Sequence, residues 1–139
     1  MNTNSTAQIA SRKRLWTGRV ITALPALFLL ADGVAKLFKP VPVVQGTLQL
    51  GFTEAVIVPL GLLLTACTIL YLIPRTAVLG AVLLTGYLGG AVATHLRANP
   101  SWFTLLFPVM MGSLVWCGLW LRNGRLRAMM PVVGDPRAV

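Results

Sequence analysis

Four uninterrupted apolar runs, each close to the length that crosses a lipid bilayer, constrain this chain more than any other feature of it. They are Val20–Phe38, Ala55–Ile73, Thr76–Leu96 and Trp102–Leu121. At a helical rise of about 1.5 Å per residue, each run crosses a hydrocarbon core roughly 30 Å thick. Backbone polar groups find no water in lipid, so only helices and closed barrels span it. The runs are continuously apolar and lack the alternation of a barrel strand. The expected fold class is therefore all-α integral membrane: a four-transmembrane-helix bundle with a short interfacial helix between helices one and two.

Composition agrees. Only 11% of the 139 residues are charged, where a soluble domain has roughly a quarter, and the mean hydropathy is +0.78. Twelve Lys and Arg stand against three acids, Asp32, Glu54 and Asp135, for a net charge of +9. The bases cluster at the ends of the apolar runs, where anionic lipid headgroups account for them. No basic soluble face can be drawn, so nucleic acid is not an expected partner.

The connections divide the chain into a basic tail over residues 1–18, with Met1–Ser11 expected to be disordered, a membrane domain over 19–122, and a second basic tail over 123–139. Ala31-Asp32-Gly33 has the small-x-small form of a leader cleavage site, but the first apolar run continues past it to Phe38, as a spanning helix does. Pro40 and Pro42 end that helix. Val43, Val44, Leu48 and Phe52, interleaved with Gln45 and Gln49, then predict an amphipathic helix in the interface, with Gly51 at its C-terminus. Pro74-Arg75 makes the turn between runs two and three. Trp102 and Trp120, about 27 Å apart at helical rise, are expected as interfacial anchors.

Arg12, Lys13, Arg14, Arg19, Arg75, Arg122, Arg125, Arg127 and Arg137 fall on one side of this topology, and Lys36, Lys39 and Arg97 on the other. The positive-inside rule then places both termini in the cytoplasm of a multi-pass cell (inner, plasma) membrane protein. In that orientation Asp32, Lys36, Glu54 and His95 collect in the outer leaflet. Charges at membrane depth face the bundle interior, so a polar site opening to the outer face is expected there. Asp32 and Lys36, four residues apart, can pair on one helix face. Tyr87, Ala91 and His95 form a stripe on helix three, and imidazole is the side-chain type suited to proton exchange near neutrality. The candidate ligand-binding set is Lys36, Tyr87, His95, Asp32 and Glu54. Each also has a structural reading, as an ion pair or as one polar seam with no ligand. Gly86 and Gly90 form a GxxxG pattern and Gly89 belongs to a parallel small-residue track; helix packing within the bundle is their expected role.

No metal site is expected: HExxH, paired cysteines and EF-hand patterns are all missing from the sequence, as are phosphate loops and nucleophile elbows. Cys67 and Cys117 stand singly in apolar surroundings and read as small hydrophobes. No intrinsic cofactor and no catalytic residue is assigned.

Gly33-Val-Ala-Lys36-Leu, Gln45-Gly-Thr-Leu-Gln-Leu-Gly-Phe52, Leu84-Thr-Gly-Tyr-Leu-Gly-Gly-Ala-Val-Ala-Thr-His-Leu-Arg97 and Leu121-Arg-Asn-Gly-Arg-Leu-Arg127 resemble the DoxX-like family of small four-helix membrane proteins, over about Arg19 to Met130. Asp32 departs from that pattern, where a small or hydroxyl residue stands. Relatives include a membrane subunit of a thiosulfate:quinone oxidoreductase and proteins linked to oxidative-stress complexes. The resemblance thus implies a redox-associated membrane subunit with a quinone as its ligand and electrons supplied by a partner subunit. A non-catalytic interaction, assembly or chaperone-like role and a small-molecule transporter are the alternatives, and the sequence leaves the oligomeric state open.

Overall fold

The computed structural model describes the backbone of residues 3–98 and 101–129 and the side chains of 16–98 and 101–126. Its elements are helices throughout: α1 (Thr3–Phe38), α2 (Val41–Gln49), a 3-10 turn (Glu54–Val56), α3 (Ile57–Leu72), α4 (Ala77–Ala98), α5 (Trp102–Arg122) and α6 (Gly124–Met129). Among the described residues, four segments are long and apolar enough to cross a membrane: Trp16–Phe38, Glu54–Leu72, Ala77–Ala98 and Trp102–Arg122. The all-α membrane fold expected from the sequence is the one observed.

Two stretches differ from expectation. Residues 3–11, expected to be disordered, are the start of α1, whose 36 residues extend about 54 Å at helical rise, well beyond a hydrocarbon core. Gly124–Met129, expected as part of a basic tail, is helical: the Asn123 side-chain carbonyl accepts from the Arg125 and Leu126 backbone N–H at 3.1 and 3.3 Å, an N-cap, and Leu126 is buried. The remainder of that tail, 130–139, lies outside the described residues, as do Met1, Asn2, Asn99 and Pro100.

The spanning helices pack in the closed order α1–α3–α4–α5–α1, so every neighbour is antiparallel, as short connections between successive helices require. Glycine sets three of the contacts. A Cβ at Gly61 of α3 would fall 2.8 Å from the Gly33 carbonyl and from Lys36 Cβ of α1. One at Gly118 of α5 would meet the Thr22 backbone N at 3.0 Å, and one at Gly80 of α4 would meet the Tyr71 backbone N at 2.2 Å. In lipid, where apolar surface alone drives little association, such close backbone approach is a main source of packing energy.

Tyr71 locks the end of the bundle that carries α6. Fully buried, it donates its hydroxyl to the Val115 carbonyl at 2.9 Å, with the Thr22 hydroxyl 3.5 Å away. The Arg122 guanidinium lies over its ring, 5.0 Å from the centroid, and donates to its backbone carbonyl at 2.9 Å. Nearby, Trp116 Nε1 donates to Thr85 Oγ1 at 2.8 Å, joining α5 to α4. Of the two tryptophans expected as anchors, Trp102 is exposed, whereas Trp120 packs against the core.

At the opposite end α2 interrupts the up-and-down path. Lys39, with φ 48°, ends α1, and Pro40–Pro42 begin α2 where a missing N–H is harmless. Gly51, with φ 83°, closes it: the Gly51 N–H reaches the Leu48 carbonyl and the Phe52 N–H the Thr47 carbonyl, the two bonds of a Schellman cap. The C-terminal glycine foreseen from the sequence is in place.

Candidate functional site

Close packing gives out along α4. Its buried positions are Ala77, Gly80, Ala81, Leu84 and Leu88; between Gly86 and His95 the helix lines a cavity of about 480 Å³. All four spanning helices and the α2 region surround this space. Much of its wall is apolar, with Leu29, Leu60, Leu63 and the edge-on pair Phe28–Phe107, whose centroids are 5.0 Å apart. Its polar groups are few: Asp32, Lys36, Thr47, Tyr87, Thr94 and His95. A second cavity of about 650 Å³ lies under α2 and shares Asp32, Lys36, Thr47, Leu50 and His95 with the first. The two spaces therefore meet at the Asp32–Lys36–His95 level.

Helix α1 supplies the ion pair. Lys36 Nζ donates to Asp32 Oδ2 at 2.5 Å across one helical turn, with side-chain exposures of 16% and 36%. The close approach of α3 at Gly61 abuts Lys36 Cβ and holds the base of this side chain at the cavity. On α4, Tyr87 and His95 line the same wall two turns apart, and the Tyr87 hydroxyl makes no hydrogen bond to the described residues. The His95 Nδ1 lies 2.8 Å from the Ala91 carbonyl.

Four of the five residues singled out from the sequence thus converge on one space. Glu54 does not line either cavity; it pairs with Lys39 at 3.2 Å on the surface, joining the two ends of the α2 excursion. The sequence put Glu54 at the same end of the bundle as the other four, but its direction around the bundle axis was not legible. The glycine expectation is also corrected. A Cβ at Gly86, Gly89 or Gly90 would meet nothing within 4 Å, so these residues seat no neighbouring helix among the described residues. Gly86 and Gly90 instead form part of the cavity wall, and packing falls to Gly33, Gly61, Gly80 and Gly118. Thr47 and Phe107 were not anticipated at the site. Thr47 carried a signal, since it lies one α-helical turn beyond Val43 on the inner face of α2.

Among the described residues no group of His, Cys, Asp or Glu could hold a metal ion. Cys67 is buried and Cys117 exposed, both unpaired, and neither lines either of these two cavities.

Fold and cavity together define a class: a small four-helix membrane protein with an apolar chamber rimmed by a few polar groups at one end of the bundle. Within that class the chain belongs to the DoxX-like family, which matches residues 20–118. No curated protein and no solved structure matches the chain.

Proposed function

We propose that this DoxX-like protein is a membrane-embedded binding subunit that holds a lipid-soluble molecule of the quinone type at the α2 end of its bundle, in association with a redox partner subunit. One observation carries the reading: a chamber of about 480 Å³ is lined mostly by apolar side chains, with Asp32, Lys36, Thr47, Tyr87, Thr94 and His95 as its few polar ones. Binding sites for small amphipathic molecules have this size and this ratio of apolar wall to polar contacts. In this reading the quinone ring lies among Phe28, Phe107 and Tyr87, with the Tyr87 hydroxyl and the Lys36 ammonium as the donors available to its oxygens. When bound, a quinone supplies two-electron carrier chemistry; the chain's own residues hold the head group, orient it and keep water from it. The reading includes the orientation drawn from the flanking bases: α2 end outward, both termini in the cytoplasm of the cell membrane.

The test is native mass spectrometry of the protein extracted gently from its own membrane, wild type beside His95→Ala. A quinone-mass adduct in wild type that is depleted in the variant supports the reading. Identical spectra without any small-molecule adduct, and with the same partner subunit in both, replace it with a non-catalytic assembly role. That second reading has its own observation, the exposed Gly86, Gly89 and Gly90, which nothing among the described residues covers. A backbone this open on a spanning helix suits close approach by another helix.

A further inference from the structure

We infer that the cavity selects neutral amphiphiles whose head group carries a hydroxyl donor, an alcohol or phenol, over otherwise identical molecules that can only accept hydrogen bonds. This deepens the ligand-binding reading above and rests on it.

Thr47 donates its hydroxyl hydrogen to the Val43 carbonyl at 2.7 Å. Thr94 donates its own to the Gly90 carbonyl at 2.8 Å. Each hydroxyl has one hydrogen and two lone pairs, so both present only acceptor capacity to the cavity they line. His95 repeats the pattern. Its Nδ1 lies 2.8 Å from the Ala91 carbonyl, and a carbonyl only accepts, so Nδ1 bears the hydrogen. In the neutral ring Nε2 is then left as an acceptor, on a side chain shared by both cavities. Asp32 adds carboxylate oxygens, of which Oδ2 takes the Lys36 ammonium.

Four of the six polar side chains on the wall therefore offer lone pairs. Against them stand the Tyr87 hydroxyl and whatever capacity Lys36 retains beyond Asp32. An acceptor-only head, such as an ether, displaces water from the acceptors at the cavity junction without replacing the hydrogen it donated, which is costly. A hydroxyl supplies the missing hydrogen. A cationic head also donates, but Lys36 stands in the same wall and already neutralises Asp32. For a redox couple of the quinone type the same account favours the dihydroxy form over the dicarbonyl form.

The discriminating probes are 4-dodecylphenol and its methyl ether 4-dodecylanisole, titrated into the full chain in nanodiscs and read by native mass spectrometry. The phenol is expected to bind about tenfold more tightly in wild type, the scale of one buried hydrogen bond gained rather than left unmade. In His95→Phe, which keeps a ring but removes the acceptor, the gap narrows to about threefold or less. Equal affinities in wild type, or a preference for the ether, overturn the inference while leaving a ligand site standing. If neither probe binds, the ligand-binding reading falls with it. The wild-type comparison stands even if the variant does not fold.

Discussion

The Tyr71 hydroxyl donates to the Val115 carbonyl in the best-buried part of the chain, so Tyr71→Phe keeps the ring and the Arg122 contact and removes one bond. A loss of about 1 kcal/mol is expected, read from thermal or denaturant unfolding in mild detergent. No change would mean that the ring alone carries the role of this residue. His95, at the other end, forms its visible hydrogen bond within its own helix and bridges no two helices. The contrast explains what sequence reading could reach. His95 stood out as the one imidazole, near charges of the same depth. Tyr71 did not, because a tyrosine in an aliphatic run reads as core. Its signal lay in Arg122, which the topology brings to the same end.

Elements show a related division. The four spans were legible because lipid leaves a backbone no choice but a helix, and Gly51 was legible because a left-handed cap favours one residue type. Which glycines touch which helices was not legible. A GxxxG pattern reports that a backbone is bare, not what lies opposite it, and on α4 its two glycines, Gly86 and Gly90, line a cavity. Two substitutions separate the cases. At Gly80 a methyl group would sit 2.2 Å from the Tyr71 backbone N, so Gly80→Ala forces α3 and α4 apart at a cost of about 3 kcal/mol or more. At Gly86 a methyl meets nothing within 4 Å, so Gly86→Ala is expected to be neutral or stabilising by about 0.5–1 kcal/mol through helix propensity. Equal destabilisation by the two in the same unfolding assay would contradict this account of the packing.

For the molecule as a whole, the antiparallel ring of helices divides the charges between its ends. Asp32, Lys36, Lys39, Glu54, His95 and Arg97 go to one, and Arg19, Arg75, Arg122 and Arg125 to the other. The positive-inside rule predicts that a fluorescent or enzymatic reporter fused to the C-terminus is active only as a cytoplasmic fusion, and that one placed in the connection between α4 and α5 behaves oppositely. Activity reversed at both positions would turn the chamber toward the cytoplasm. The same division leaves tight packing at the α6 end and a chamber at the α2 end, where the polar groups stand.

That this chamber holds a lipid-soluble molecule is tested most directly by filling it. Gly90 lines the cavity and has no neighbour within 4 Å of a Cβ, so Gly90→Leu occupies the space while sparing Asp32, Lys36, Tyr87 and His95. Native mass spectrometry of wild type and Gly90→Leu, with unfolding temperatures matched, is the measurement. The account predicts a small-molecule adduct on wild type that Gly90→Leu reduces at least about tenfold, the effect of losing roughly 1.4 kcal/mol of binding. An adduct retained at equal occupancy in the filled variant would place the ligand elsewhere and contradict the account.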